Sequence, residues 1–189
     1  MSRPDIKRIF IAVKVEAEEA LSDIISALKS GLANENIRWT HPENIHITLA
    51  FLGDTEEKKT INISSMLKEK CGGSGKFELI IKGLGVFKNL GNPRVLWTGI
   101  EFLEKLSKLH SLIINGLRSE GFILEDRYFS PHLTIGRVKY LKDKTALKEL
   151  IERYQNQKIQ KVTVNEVILY ESILLPSGPI YKPICKVDL

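Results

Sequence analysis

Long apolar runs are absent from this sequence of 189 residues. No stretch of about 18 or more consecutive apolar residues occurs, so no segment has the length and hydrophobicity of a transmembrane helix. The N-terminus, Met1-Ser2-Arg3-Pro4-Asp5, runs directly into a strand-like segment without the apolar core of a signal peptide. We therefore expect a cytoplasmic protein with no membrane partner.

Cysteine is scarce as well. Cys71 and Cys185 are the only two, and they lie far apart in no Cys-x-x-Cys or Cys/His spacing. This pattern excludes a disulfide framework and gives no support to a zinc site, so we expect two unpaired thiols. The motifs of nucleophilic hydrolases are missing too, since no Gly-x-Ser-x-Gly elbow occurs.

A complete phosphate-binding loop is also lacking. Gly72-Gly73-Ser74-Gly75-Lys76 has the glycines, but Phe77 stands where a Walker A motif requires Ser or Thr. The segment also follows a predicted helix rather than a strand. We interpret it as a flexible turn.

Apolar residues make up 43% of the chain, which is enough for the core of one domain or of two small lobes. The net charge is +5 and the pI is about 9.1, a balance that favours a polyanionic partner. Basic residues become frequent toward the C-terminal third, where they form either a solvated helix face or a surface that follows phosphates. They are Lys139, Lys142, Lys144, Lys148, Arg153, Lys158 and Lys161.

The tetrapeptide His-x-Thr-x occurs twice, as His46-Ile47-Thr48-Leu49 and as His132-Leu133-Thr134-Ile135. Successive side chains of a strand point to opposite faces, so each His shares a face with its Thr while the apolar residues take the other face. On strict alternation Phe51 belongs to the apolar face. Ala50 and Gly136 are the next residues on the polar faces, and their small size predicts room for a ligand.

A single histidine beside apolar residues is more often structural than catalytic. The chain has only four histidines, and two matches to His-x-Thr by chance have a probability on the order of one per cent. The pair therefore favours chemistry over a structural role. His41, before Pro42, is expected in a turn, and His110 on a helix surface.

Hydrophobic periodicity gives the same order of elements in each half of the chain: strand, helix, motif strand, helix, strand. We predict strands over residues 8–15, 44–52, 76–82, 85–88, 94–100, 130–138, 161–170 and 181–187, and helices over 16–32, 54–70, 101–121 and 142–154. The repetition predicts an internal duplication of two α+β lobes, each of which supplies one His-x-Thr.

Two histidines at one site form an acid and base pair, because imidazole titrates near pH 6.5 and exists in both forms around neutrality. Two threonine hydroxyls beside them can donate to the non-bridging oxygens of a phosphate. This chemistry requires no metal. No cluster of carboxylates surrounds the motifs, so a metal-dependent phosphoesterase is disfavoured.

The chain resembles the RNA 2′,3′-cyclic phosphodiesterases, also called 2′-5′ RNA ligases, of the 2H phosphoesterase superfamily. The resemblance covers nearly the whole chain. It lies in the two tetrapeptides and in the surrounding segments, which are Arg8-Ile9-Phe10-Ile11-Ala12-Val13, Trp39-Thr40-His41-Pro42-Glu43-Asn44-Ile45 before the first tetrapeptide, Ala50-Phe51-Leu52-Gly53 after it, Pro93-Arg94-Val95-Leu96-Trp97, Pro131 before the second tetrapeptide, Gly136-Arg137 after it, and Leu169-Tyr170-Glu171-Ser172.

The resemblance implies a single 2H phosphoesterase domain over residues 1–189, with two pseudo-symmetric lobes. Two antiparallel sheets would face each other across a central cleft, with helices on the outer faces. The implied reaction is hydrolysis of an RNA terminal 2′,3′-cyclic phosphate to a 2′-phosphate, by a monomer without a cofactor or metal. His46 would protonate the departing 3′-oxygen and His132 would activate the water, an order that the residue pattern alone does not fix.

Thr48, Thr134 and Arg137 are the expected substrate-binding residues. Arg137 resembles a phosphate-binding arginine of the family, yet strict alternation places it on the core face with Ile135. Either the strand ends or bulges there, or Arg137 is a surface residue. Four aromatic side chains that could stack a base, or belong to the core, are Phe10, Trp39, Phe51 and Tyr181.

Two alternative functions use the same cleft. One is ligation of RNA, which runs the reaction backward from a 2′,3′-cyclic phosphate and a 5′-hydroxyl. The other is a non-catalytic module that binds RNA or nucleotides, which the two intact motifs disfavour.

Overall fold

The computed structural model describes residues 5–125 and 128–189; of the N-terminal pentapeptide discussed above, residues 1–4 lie outside them. Within this part of the chain there are four α-helices, one short 3-10 helix and nine strands. The helices are α1 (Glu19–Gly31), α2 (Lys59–Cys71), α3 (Leu103–Ser119), α4 (Lys144–Tyr154) and the 3-10 turn Pro42–Asn44. The strands are β1 (Ile6–Lys14), β2 (Asn36–Trp39), β3 (His46–Glu56), β4 (Phe77–Phe87), β5 (Val95–Glu101), β6 (Leu133–Tyr140), β7 (Lys158–Val164), β8 (Glu166–Leu175) and β9 (Gly178–Asp188).

All strand pairs are antiparallel, in the order β7-β4-β5-β6-β3-β1-β8-β9, with β2 added beside β6. The α+β class expected from the sequence is confirmed. The two expected sheets form the two halves of one sheet, and the motif strands β3 and β6 meet at its centre through the pair Ile47 and Leu133. The two His-x-Thr segments thus become neighbours although they are distant in sequence.

The sheet is strongly curled. Only Asn165 separates β7 from β8, yet these strands stand near opposite ends of the strand order. Since one residue cannot span a flat sheet of this width, the two ends approach each other and the sheet closes into a half-barrel. The curl leaves a concave face for the cleft.

The helices cover the other face, and the main core lies between them and the sheet. Of the apolar positions whose spacing predicted α1, Leu21, Ile24, Ile25 and Leu28 are buried there and Ala20 is exposed. Alternate residues of β1 and β3 are buried there too, among them Ile9, Ile11 and Ile47. A smaller buried cluster lies on the other side of β1 and contains Phe10, Ala12, Ile168 and Tyr170, with Tyr181 packed against it. This second cluster supports the wall of the cleft.

Besides shifts of a few residues at the ends of elements, the structure differs from the predicted elements in four places. Asp54–Glu56 continue β3 instead of starting a helix, and α2 begins only at Lys59. Residues 76–82 and 85–88 form one strand, β4, because Gly83 adopts a positive φ of 70° at a register shift and lets the strand continue. Residues 161–170 divide into β7 and β8. The short strand β2 was missed.

Both cysteines are unpaired, as predicted. Cys71 is buried in the main core, and this burial raises the pKa of its thiol to about 11. The thiol is therefore protonated and unreactive near neutrality. The glycine-rich segment after it forms a turn between α2 and β4, as expected. In the described part of the chain no helix is both long and apolar enough to cross a membrane.

Candidate active site

A bulge in β3 determines which side chains of the first motif face the cleft. Ala12 pairs with Thr48 and Ile11 with Ala50, so Leu49 is the extra residue. Leu49 and Ala50 are both buried, and the alternation then resumes with Phe51 exposed. Phe51 therefore lines the cleft, and Ala50 belongs to the core. Both placements reverse the prediction from strict alternation.

The second motif strand has a bulge at the corresponding position. Trp97 pairs with Thr134 and Leu96 with Gly136, which leaves Ile135 as the extra residue. Arg137 is thereby exposed and lines the cleft. The sequence left open whether the strand ends before Arg137, bulges there, or carries Arg137 on the surface; the structure shows a bulge.

We predicted that Gly136 leaves room for a ligand, and this was wrong, because the space beside it is filled by β2. A Cβ atom there would lie 2.9 Å from Cγ2 of Ile37 and 3.3 Å from the Trp39 indole. The missing side chain lets β2 pack closely against β6. Since β2 carries Arg38 and Trp39 into the cleft, Gly136 shapes the site indirectly.

His46 is the first residue of β3. Its Nδ1 lies 2.7 Å from the Asn44 carbonyl oxygen, so Nδ1–H donates to that oxygen and Nε2 is the nitrogen left for a ligand. The ring packs against Phe10 and Tyr181, with centroid separations of 5.0 and 5.1 Å. Burial lowers the pKa of His46, opposed by the bond to Asn44, and the nearby charges of His132 and Arg137 lower it further.

His132 precedes β6 by one residue instead of lying within the strand. Its Nδ1 is 2.8 Å from the Ser130 carbonyl oxygen, the same bond to the residue two positions earlier that His46 makes. Its ring meets Phe87 edge-on at 4.7 Å. Both imidazoles are thus held by a backbone carbonyl and an aromatic ring, in the same tautomer.

All five predicted site residues line one cleft of about 840 Å³: His46, Thr48, His132, Thr134 and Arg137. The two threonines lie two residues after their histidines, on the same side of each strand. Two imidazoles, two hydroxyls and a guanidinium therefore converge, a set that can exchange protons and bind an anion. Among the described residues, no group of three or more His, Cys, Asp or Glu side chains is placed to hold a metal ion.

Two further arginines line the cleft, and neither was predicted as a site residue. Arg8 of β1 lies over the Phe51 ring at 4.8 Å, and its Nη1 is 3.6 Å from Asp54. Arg38 of β2 donates from Nη2 to the Pro176 carbonyl oxygen at 3.2 Å. The alternation Ile37-Arg38-Trp39 was the available signal, but it is too short to identify a strand by itself.

The tip of the β8–β9 hairpin forms one rim of the cleft, which was also not foreseen. Besides the bond from Arg38, the Asn44 side chain donates from Nδ2 to the Pro179 carbonyl oxygen at 2.8 Å. Pro179, Ile180 and Tyr181 line the cleft as a result. Two side chains of the segment before β3 therefore fix a hairpin that lies far away in sequence.

The four aromatic candidates for base stacking differ in exposure. Phe10 is only 4% exposed and belongs to the buried cluster beneath His46, whereas Phe51 is 53% exposed. Trp39 and Tyr181 are half-buried and pack against the two clusters. Phe51 thus offers the most free ring surface.

The other two histidines, His41 and His110, belong to neither His-x-Thr motif, and only His41 lies in the cleft. His41 precedes the 3-10 turn and lines the cleft. His110 is on α3, as expected, but its ring stacks on Phe129 at 3.8 Å and is only partly exposed.

Comparison with known proteins agrees with this arrangement. The model of the family "LigT like Phosphoesterase" matches residues 11–97 and 101–181, and each match contains one His-x-Thr motif. The chain is 41% identical to an RNA 2′,3′-cyclic phosphodiesterase of Thermotoga maritima, over 93% of this chain and 91% of that protein. It is 39% identical to a protein of the same name from Methanothermobacter thermautotrophicus, over 92% of this chain and 94% of the relative.

Solved structures share the fold. The crystal structure of Escherichia coli LigT complexed with 3′-AMP superposes with a TM-score of 0.76 at 22% identity, covering 98% of this chain and 99% of that one. A Thermus thermophilus structure gives a TM-score of 0.77 at 23% identity, covering 96% of this chain and 97% of that one. The chain belongs to the LigT-like phosphoesterase family.

Proposed function

We propose that this protein hydrolyses the 2′,3′-cyclic phosphate at the end of an RNA to a 2′-phosphate, by acid and base catalysis with two histidines and no metal. The relatives that match over nearly their whole length are named for activity on this phosphodiester. The observation that carries the proposal is the matched pair of imidazoles, each fixed through Nδ1 to a carbonyl oxygen and each lining the cleft.

In the proposed reaction a water oxygen attacks phosphorus and the bond from phosphorus to the 3′-oxygen breaks. His132 takes the proton of the water, and His46 gives its proton to the 3′-oxygen. Thr48, Thr134 and Arg137 stabilise the negative charge on the non-bridging oxygens while phosphorus is pentacoordinate. Each transferred proton has one imidazole partner, so no external acid or base is required.

The direct test is incubation of the protein with adenosine 2′,3′-cyclic phosphate in excess EDTA. We expect 2′-AMP as the product, separated from 3′-AMP by liquid chromatography, at a rate that chelation leaves unchanged. Loss of activity in EDTA that a divalent ion restores would contradict the metal-free mechanism. Formation of 3′-AMP would assign the departing group to the 2′-oxygen.

The lowered pKa of His46 makes a prediction about pH. An acid must be protonated, and a pKa below 6.5 means that protonated His46 in the free enzyme is lost as pH rises through a value below 6.5. The anionic substrate favours protonated His46 in the complex. Because kcat/KM reports the free enzyme and kcat the complex, we expect bell-shaped profiles in which the alkaline limb of kcat/KM lies at lower pH than that of kcat.

Stopped assays from pH 4.5 to 8.5 measure both profiles. If the alkaline limbs coincide, or if that of kcat/KM lies at the higher pH, the substrate does not favour protonation of the histidine pair, and the predicted order of the limbs is wrong. A flat profile, with chemistry shown to be rate-limiting, would remove the pair of histidines from the mechanism.

We also propose that the chain is a single domain of two pseudo-symmetric lobes, and that it is a cytoplasmic monomer. The two separate matches to the family model support the lobes. Light scattering after size-exclusion chromatography measures the mass in solution against the 21.4 kDa of one chain.

A further inference from the structure

Two arginines face each other directly in the wall of the cleft. Arg38 of β2 and Arg137 of β6 are partners in the antiparallel register. Directly opposed residues of such a pair have Cβ atoms about 4.5–5.5 Å apart on the same face of the sheet, and like charges in this position are destabilising. Both residues are exposed and both line the cleft.

Neither arginine has an acidic partner in the described residues, since no carboxylate lies within ion-pair distance of either guanidinium. Arg8, on the opposite side, does have one in Asp54. Glu43 also lines the cleft, but its carboxylate is 3.9 Å from His41 and 86% exposed. The Arg38 and Arg137 pair is therefore a concentration of positive charge that the protein itself does not balance.

The two guanidinium groups serve different parts of the cleft. Burial raises the pKa of Tyr181, and the charge of Arg137 opposes this rise; burial lowers the pKa of His46, and the charge of Arg137 adds to this fall. Arg137 therefore lies toward the histidines. Arg38 is held at the other end by its bond to the Pro176 carbonyl oxygen at the hairpin tip. That bond occupies one donor of the guanidinium, and the others are free for an anion.

We propose that Arg38 binds the phosphodiester that joins the terminal nucleoside to its 5′ neighbour, while Arg137 binds the cyclic phosphate. The inference rests on the proposed function and assigns Arg38 as the residue by which the cleft distinguishes an RNA strand from a free cyclic mononucleotide. The two arginines are neighbours in the sheet, but their guanidinium groups lie toward different parts of the cleft, as binding of two successive phosphates requires. A mononucleotide without a 5′-phosphate leaves the charge of Arg38 unbalanced.

Three substrates test this: adenosine 2′,3′-cyclic phosphate, the same compound with a 5′-phosphate, and the dinucleotide ApA ending in a 2′,3′-cyclic phosphate. The wild type should give a kcat/KM for the second and third about tenfold or more above the first, the size expected of one charge-assisted hydrogen bond. Arg38→Gln should remove most of this ratio. A gain for the dinucleotide alone that survives Arg38→Gln would assign it to the second nucleoside and overturn the proposal.

Matched variants separate charge from structure. Asn44→Ala removes the other hydrogen bond to the hairpin and should preserve the ratio, whereas an equal collapse would mean that Arg38 acts only by fixing the hairpin. Arg38→Lys keeps the charge and should retain part of the ratio. Arg153→Gln, on the exposed surface of α4 outside the cleft, controls for net charge and should behave as wild type.

The dependence of kcat/KM on salt concentration also tests the contact, because a purely structural role of Arg38 would leave it unchanged. The slope of log kcat/KM against log salt concentration should be steeper for the dinucleotide than for the mononucleotide by about 0.7, the value for one phosphate contact on a single strand. Arg38→Gln should abolish this difference, and Arg38→Lys should keep it. An unchanged difference in Arg38→Gln would count against the contact.

Binding distinguishes failure of this inference from failure of the proposed function. Calorimetry with 2′-AMP and with ApA carrying a terminal 2′-phosphate needs no turnover. If the wild type hydrolyses no cyclic substrate, the proposed reaction is wrong, yet tighter binding of the dinucleotide that Arg38→Gln loses still supports the phosphate site. Equal affinities for the two ligands in the wild type would overturn it.

Discussion

His46→Ala and His132→Ala should each lower kcat for adenosine 2′,3′-cyclic phosphate by about 10² or more, with the fold intact, because each removes one of the two proton-transfer partners. The double variant should lose little beyond the worse single one, since the acid and the base act in the same transition state. Steady-state kinetics measure the loss, and thermal unfolding shows that each variant still folds.

His110→Phe is the matched control. It removes an imidazole outside the cleft and keeps an aromatic ring against Phe129. We expect it to retain the wild-type kcat. Near wild-type turnover in His46→Ala or in His132→Ala would remove that histidine from the mechanism, and an equal loss in His110→Phe would point to a general effect on folding.

Thr48→Val and Thr134→Val should lower kcat by up to about 10² to 10³, if the hydroxyls donate to the phosphate in the transition state. Valine keeps the branched shape, so the comparison isolates the hydroxyl, and serine at either position should restore much of the rate. Thr163→Val removes an exposed hydroxyl from β7 and serves as the control. Unchanged kinetics and unchanged product binding in both valine variants would make the threonines structural.

Much of this fold was predictable from local pattern. The helical spacing of Ala20, Leu21, Ile24, Ile25 and Leu28 predicted a helix, and all of these residues except Ala20 lie on its buried face. The repetition of His-x-Thr predicted that two strands would share one cleft. The helix and the shared face within each His-x-Thr depend only on residues within a few positions of one another, where the periods of helix and strand apply. The shared cleft was inferred from the repetition itself.

The two β-bulges could not be predicted from the alternation of residues along one strand. Strict alternation placed Phe51 in the core and Ala50 in the cleft, and both were wrong because Leu49 is an extra residue in the pairing with β1. For Arg137 the bulge was one of the open alternatives, but nothing in the local sequence selects it. A bulge is decided by the neighbouring strand, and its position is not encoded in the period of one strand.

Contacts between distant segments were the other part that could not be foreseen. β2 has four residues, and it is recognisable only because it pairs with β6 about one hundred positions later. The bonds from Arg38 and Asn44 to the β8–β9 hairpin likewise join segments that no local pattern relates. The rim of the cleft is therefore a product of tertiary structure.

The shared bulge also gives the cleft a direction. The residue five positions after each histidine lines the cleft, and it is Phe51 on one motif strand but Arg137 on the other. Two equivalent histidines would accept a substrate equally well in either orientation. On the Phe51 side the nearby cation, Arg8, already lies 3.6 Å from Asp54, whereas no carboxylate of the described residues pairs with Arg137. The two orientations are therefore unequal in energy for an anion. A duplicated scaffold has in this way acquired polarity, because its two motif strands present different side chains to the same cleft.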